Sequence, residues 1–246
     1  TSDFDLMLSI FPFEKSWYAK RAPKFAVEFV GHPLVDRFSA EKTENNKTLS
    51  NPDLFTDQPE VLLLPGSRQR ELEKHLPVML DVVTIIAAEI KIKVRIVLPN
   101  EKMLSLAKNI VPTGTEILLQ IGNLEESLNQ ASLTIASSGT VTMECAWFKV
   151  PTVVVYKTSL ITYTIGKILI KVPYIAMPNI LAEEEIFPEF LQNEATSDNI
   201  AKASLLIIKD STERQKILTG LEHIAPQLGD PGAPSRAAKH ILKSIE

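Results

Sequence analysis

Short apolar runs alternate along this chain with longer stretches in which apolar residues return every three or four positions. The runs are Val61–Leu64, Val94–Leu98, Glu116–Leu119, Leu133–Ala136 and Thr152–Tyr156. Near-continuous apolarity over four or five residues suits strands buried on both faces of a parallel sheet. Between the first two runs, Val78, Val82, Ile86 and Ile90 repeat at four-residue spacing beside Met79, Val83 and Ala87, which predicts a helix with that stripe toward the core. Further helices are predicted at 101–109, 124–130, 140–148, 159–171, 198–209, 212–224 and 235–245. The polar stretch from Ser39 to Lys47 has the composition of a linker. Alternating strand and helix define the fold class as α/β, a doubly wound parallel-sheet domain preceded by the tail of another domain. The expected division is 1–40 for that tail, 41–210 for the sheet domain and 211–246 for C-terminal helices packing back across the domains.

Composition changes this picture little. With 246 residues, 45% of them apolar, the chain can bury one large core or two modest ones. Its 26 basic and 30 acidic residues are interspersed and give a net charge of −4, so nothing suggests a nucleic-acid surface. Cys145 is the single cysteine, which leaves no internal disulfide framework and suits a reducing compartment. No apolar run approaches the roughly 20 residues of a membrane span, and no signal peptide is visible. The strand-like run Leu6-Met7-Leu8-Ser9-Ile10 comes almost at once after Thr1, with no initiator Met, which predicts the C-terminal part of a longer protein. The segment Lys157–Lys171 is apolar around most of its predicted helix and carries lysines near both ends, as expected either of an assembly or membrane-proximal element or of a buried helix between domains.

In open α/β sheets ligands bind beyond the carboxyl ends of the strands. Three such ends carry candidate chemistry: Pro65-Gly66-Ser67-Arg68, Gln120-Ile121-Gly122-Asn123 and Ser137-Ser138-Gly139-Thr140. The last opens a helix, whose first N–H groups and partial positive charge suit a phosphate, although Ser or Thr before a helix usually serves as a plain N-cap. Glu144, one turn further on, is positioned to accept hydrogen bonds from a ribose diol; otherwise it is a helix surface residue. Arg68 fits a phosphate as a bidentate fork, against the plainer alternatives of a solvent-exposed cation or an ion pair with Glu71 or Glu73. Asn123 is either near a base or a turn former. There is no Gly-x-Gly-x-x-Gly and no Gly-Lys-Ser/Thr, which argues against dinucleotide oxidoreductases and P-loop enzymes. His32, His75, His223 and His240 show no metal-ligand spacing, and only His32, between Gly31 and Pro33, has a turn geometry suited to a site. Cys145 reads as a small core residue. No metal or cofactor is called for.

The segments FPFEKSWY, FVGHPLVD, LLPGSRQREL, ASSGTVTMECAWFKVPTVVVYK, KVPYIAMPNILA and FPEFLQ occur in that order. Together they resemble the C-terminal two-thirds of the lipid A disaccharide synthase family, glycosyltransferases of GT-B fold. The resemblance runs to about Gln192, with a weaker helical tail beyond. It implies two Rossmann-like domains, the first (acceptor) domain represented here by its tail. It also implies the partners: UDP-2,3-diacylglucosamine as donor and 2,3-diacylglucosamine 1-phosphate as acceptor, joined through a β-1,6 linkage with release of UDP by a cytoplasmic enzyme peripheral to the bacterial inner membrane. A homodimer is left open, and no nucleic acid is involved. Arg68, with Gly66 and Ser67, matches the functional Pro-Gly-Ser-Arg and implies a contact with the donor phosphates. Ser138, Gly139 and Thr140 imply diphosphate contacts, Glu144 a ribose contact, and Asn179 a place beside the donor. After Leu181-Ala182 the family pattern is Gly then a basic residue, whereas this chain has Glu183-Glu184, two carboxylates that would repel a diphosphate unless they point away. The general base is expected in the N-terminal part of the family's length. Three other functions stay open: a UDP-sugar epimerase, another UDP-sugar transferase of the same fold, and a nucleotide-sugar-binding module without chemistry.

Overall fold

The computed structural model describes residues 3–42, 58–157 and 173–245. The predicted helix at 159–171 therefore lies outside the described residues. The chain divides into two compact units, one made of Thr1–Thr48 with Glu222–Glu246 and the other of Leu49–Leu221.

In the first unit, strands β1 (Leu6–Ser9) and β2 (Ala26–Phe29) pair in parallel, Leu6 opposite Ala26 and Ser9 opposite Phe29. Helix α1 (Pro12–Arg21) makes the crossover between them. Pro12 at its first position costs no hydrogen bond, and Glu14 Oε2 caps the start by accepting from Phe11 N (3.3 Å) and Ser9 Oγ (2.7 Å). Helix α2 (Pro33–Lys42) follows, so the first four residues of the expected linker, Ser39 to Lys42, continue a helix. Lys15 pairs with Glu28 at 2.7 Å on the unit's surface.

The second unit contains a six-stranded sheet. Its strands are β3 (Glu60–Leu64), β4 (Lys93–Leu98), β5 (Ile117–Ile121), β6 (Leu133–Ser137), β7 (Thr152–Tyr156) and β8 (Glu189–Leu191). The spatial order is β5-β4-β3-β6-β7-β8, and every neighbouring pair is parallel. The five predicted strands are all present. The sixth, β8, is three residues long behind Pro188, too short for a period to register. Val61, Leu62 and Leu63 on β3, and Leu133 and Ile135 on β6, have no solvent exposure. Each such aliphatic residue contributes roughly 2 kcal/mol relative to leaving it in water.

Right-handed crossovers between parallel strands require long connections, supplied by α3 (Gln69–Glu89), α4 (Glu101–Ile110), α5 (Leu124–Gln130), α6 (Val141–Trp147) and α7 (Met177–Ala182). On α3 the buried face is Leu72, His75, Leu76, Met79, Leu80, Val82, Val83 and Ile86. The predicted stripe is thus rotated and extended toward the N-terminus: Ala87 is exposed and Ile90 lies past the helix end. Helices α8 (Ser197–Lys209) and α9 (Ser211–Glu222) close the unit, α8 against α3 and Arg214 of α9 donating to Ser132 O at 2.9 Å. Burial draws the Arg214 guanidinium down to about 10, still protonated at neutral pH. Helix α10 (Ala233–Ile245) belongs to the first unit. Among the described residues, no helix is long and apolar enough to cross a membrane.

Candidate functional site

The order β5-β4-β3-β6-β7-β8 reverses direction between β3 and β6. From β3 the chain steps outward through β4 to β5, then returns to β6 and proceeds the other way. A crevice forms where the connections diverge, beyond the carboxyl ends of the two strands. There the structure has a cavity of about 420 Å³. Gly66, Ser67, Arg68 and Glu71 line it from the turn after β3, and Ser137 to Val141 line it from the turn after β6. Val97, Leu98 and Pro99 add a wall from the end of β4, and Gly122 and Leu124 one from the end of β5.

The first turn depends on a residue without a side chain. Gly66 has φ +116°, and a Cβ there would sit 2.6 Å from Glu71 Oε2 and 2.7 Å from Glu71 Cβ. Glu71 Oε2 accepts from Ser67 N (3.2 Å) and Arg68 N (3.3 Å), while Oε1 pairs with Arg68 Nη1 at 3.0 Å. The ion pair weighed for Arg68 from the sequence is therefore present with Glu71, and the Arg68 side chain remains 83% exposed. Beneath the turn, His75 is fully buried; its ring bonds Pro65 O at 2.9 Å through Nδ1 and accepts from Lys157 N at 3.0 Å through Nε2.

The second turn leaves β6 through Ser138, whose N–H donates to Val155 O (3.2 Å) and whose hydroxyl donates to Ile175 O (3.2 Å). That proton is committed, so a ligand meets the Ser138 Oγ as an acceptor unless the bond to Ile175 is exchanged. Gly139 has ordinary backbone angles, and a Cβ built there would meet nothing within 4 Å. Neither a positive φ nor packing asks for glycine at this position. Thr142 braces the turn, its hydroxyl donating to Gly139 O at 2.8 Å.

The remaining sequence candidates fall at different distances from this cavity. Glu144 is half-buried one turn along α6 and is not among the lining residues. Asn123 is exposed, in the left-handed region at φ 50°, and turns the chain between the lining residues Gly122 and Leu124. Asn179 is fully buried, accepts from Ile186 N (3.0 Å) and Phe187 N (2.8 Å), and donates to Phe187 O (2.8 Å) and Glu189 Oε1 (2.7 Å). All four of its hydrogen-bonding positions are used within the fold, and it is not among the residues that line the cavity. Glu189 in turn accepts from Ile175 N and Ala176 N, both at 2.9 Å, and its burial raises its pKa against the pull of those amides. Asn179 and Glu189 thus hold the segment that receives the Ser138 hydroxyl. Glu183 and Glu184 are exposed and neither lines the cavity. Cys145 is fully buried, and desolvation pushes its thiol up to about 12, so it is an inert core residue.

Sequence reasoning missed the Val97-Leu98-Pro99 wall and offered Glu71 only as an ion-pair partner of Arg68, not as part of the cavity lining. The wall follows the same carboxyl-end rule applied to β4. Glu71 stands at the third position of α3, where a carboxylate reads as an ordinary helix cap.

A six-stranded parallel sheet with its cavity at the switch point defines an α/β fold of the open parallel-sheet class, and its structural neighbours are GT-B glycosyltransferases and UDP-sugar epimerases. A putative UDP-N-acetylglucosamine 2-epimerase from Listeria monocytogenes superposes with a TM-score of 0.64 at 17% identity, over 98% of this chain and 59% of its own. The UDP-GlcNAc 2-epimerase of Neisseria meningitidis, solved bound to UDP-GlcNAc, gives 0.63 at 12% identity, over 97% and 62%. Sequence narrows the class further. The chain belongs to the lipid-A-disaccharide synthetase family, whose description matches residues 2–238. The lipid-A-disaccharide synthase of Syntrophus aciditrophicus is 36% identical over 249 residues, covering 98% of this chain. The chain spans 63% of that relative's length.

Proposed function

We propose that this chain carries the donor half of a lipid A disaccharide synthase, an inverting transferase that moves 2,3-diacylglucosamine from its UDP derivative to 2,3-diacylglucosamine 1-phosphate. The observation that carries the reading is the meeting of the Pro-Gly-Ser-Arg and Ser-Ser-Gly-Thr turns on one cavity at the switch point of the sheet. The diphosphate lies against the turn of Ser138, Gly139 and Thr140, with Arg68 at its β-phosphate, and Ser138 serves it by exchanging its hydroxyl bond from Ile175 O to a phosphate oxygen. Glu144 meets the ribose, and the base rests toward Pro99, Gly122 and Leu124, near Asn123.

In the reaction, the acceptor 6-hydroxyl attacks the anomeric carbon as the bond from that carbon to the β-phosphate oxygen breaks. Negative charge grows on the departing UDP, and the proton leaves the hydroxyl to a base on the acceptor side. Arg68 and the amides of the second turn are oriented before charge develops, so their interaction strengthens in the transition state. A substrate pair bearing acyl chains partitions into a bilayer, so the same reading puts the whole enzyme peripherally at the cytoplasmic face of the inner membrane. The Neisseria neighbour's UDP-GlcNAc supports a UDP-sugar in the cavity, while its 12% identity supports the fold and not its reaction.

Calorimetry with UDP and UMP tests the phosphate assignment. UDP is expected to bind more tightly, and equal affinity would remove Ser138 to Thr140 from the diphosphate. In the whole enzyme, Arg68→Ala should lower turnover about a hundredfold, the equivalent of roughly 3 kcal/mol in the barrier. Arg68→Lys should restore little, since a point charge lacks the fork. Near-normal turnover of Arg68→Ala would leave Arg68 a surface cation. Product analysis with each UDP-sugar separates disaccharide from epimer.

A further inference from the structure

One carboxylate organises the whole Pro-Gly-Ser-Arg turn. Glu71 takes the Ser67 and Arg68 amides on Oε2 and the Arg68 guanidinium on Oε1, and it lines the cavity beside them. Gly66 is held to glycine by this approach, because a Cβ would strike Glu71 at 2.6 and 2.7 Å. A bare carboxylate in a cavity that takes a diphosphate would repel it. Here its charge is met by two amides and a guanidinium.

We infer that Glu71 is a positioning residue for Arg68 that acts on the diphosphate of the bound nucleotide. Arg68 is 83% exposed and, untethered, would spread over many rotamers. Glu71 holds it through one of its five N–H donors. The others stay available for phosphate oxygens, where a guanidinium binds with its planar fork. The inference rests on the nucleotide reading given above and adds to it a role for Glu71, a residue to which the resemblance assigned none.

A plain helix cap makes a different prediction from a positioning residue, because a cap supports the fold for any ligand alike. Glu71→Gln separates them. The Gln carbonyl oxygen can still accept the Ser67 and Arg68 amides, but its NH₂ then faces Arg68 Nη1, donor against donor, and the link to the guanidinium is cut. Binding of UDP and of uridine is measured by ligand-observed NMR for wild type, E71Q, R68A and R68A/E71Q. The expected result is a loss of about threefold to fivefold in UDP affinity for E71Q, the scale of an exposed ion pair, with uridine affinity unchanged. In the R68A background E71Q should then change nothing further, because the residue acts through the arginine. Unchanged UDP affinity in E71Q overturns the inference. So does an equal loss for UDP and uridine, and so does a full additional loss in the R68A background. Glu71→Asp, which keeps the charge but falls one methylene short of the guanidinium, runs through the same cycle with the same expected pattern and decides the matter if E71Q does not fold. Failure of the wild-type chain to bind UDP at all overturns the nucleotide reading itself, an outcome distinct from the other three.

Discussion

His75 joins two parts of the chain that have no side-chain signature in common. Its partners are the carbonyl of Pro65, 10 residues away, and the amide of Lys157, 82 residues away. An amide can only donate, so Nε2 is the acceptor and the proton sits on Nδ1, donating to Pro65 O. Protonating the ring would put a second N–H against the Lys157 N–H. Burial lowers the pKa below its ordinary 6.5; Lys74 adds to that, while Glu71 opposes it, and the Tyr156 ring packs at 6.4 Å. Between the lowered folded value and 6.5 the unfolded chain binds more protons than the folded one, so stability rises with pH in that window. The contribution is fully present above about pH 6.5 and is lost as pH falls through the folded value. Half-buried His32 is shifted the same way by desolvation and adds to the slope. His75→Gln keeps one donor and one acceptor without a titrating ring, so its urea midpoint should fall less than the wild type's between pH 7 and pH 5. Parallel midpoints would mean that His75 does not titrate in this range. The role was invisible in the sequence because a histidine bonded to main chain on both sides carries no spacing motif.

Among the elements, the turn from α7 to β8 shows what the structure adds to a residue that a motif singles out. Asn179 was singled out by its motif and expected beside the donor; it ties Ile186, Phe187 and Glu189 into a fixed loop. Asn179→Ala would leave the buried Ile186 and Phe187 amides without acceptors, a cost of about 3 kcal/mol. Urea unfolding should register that loss, while UDP affinity of the folded variant changes less than twofold at low temperature. A large drop in UDP affinity at unchanged stability would restore the ligand role. The same physics decides what was legible along the chain. Strands such as β3 and β6 are buried on both faces, so an unbroken apolar run identifies them. The rim residues Gly66, Arg68 and Ser138 to Thr140 followed from a topological rule and were brought to one cavity. Helices α1 and α2 were passed over because polar residues interrupt their apolar period and α1 has no buried residue. Hydrogen-bond networks such as those of Asn179 and Glu71 depend on partners that only the folded backbone supplies.

For the whole molecule, the chain enters the first unit at its start and returns to it at its end, while the sheet unit is made of one continuous stretch. The C-terminal helices expected over 211–246 to pack back across the domains fall in different units, α9 in the sheet unit up to Leu221 and α10 in the first unit. The return is fixed by polar side chains. Asp36 on α2 accepts from Gly232 N at 2.5 Å and Ala233 N at 3.0 Å, placing a carboxylate at the start of α10, where the helix dipole favours it. Arg236 reaches Val30 O (2.7 Å), Pro231 O (2.8 Å) and Asp230 O (2.5 Å), and Leu228 O accepts from His32 N at 2.8 Å. Gly31, at φ +89°, lets this occur, since a Cβ there would stand 2.5 Å from the Arg236 guanidinium. Asp36→Ala therefore removes the acceptor of two amides and the charge at one helix end, together worth about 2 kcal/mol. Hydrogen–deuterium exchange should show faster exchange across residues 228–245 and β2, with protection of β3, β6 and β7 unchanged, because those strands bury a core of their own. Asp36→Asn, which keeps one acceptor oxygen, should fall between the two. If exchange in the central sheet accelerates in step with α10, the two units unfold as one cooperative body, and the apolar core of the sheet unit is not sufficient to hold it alone.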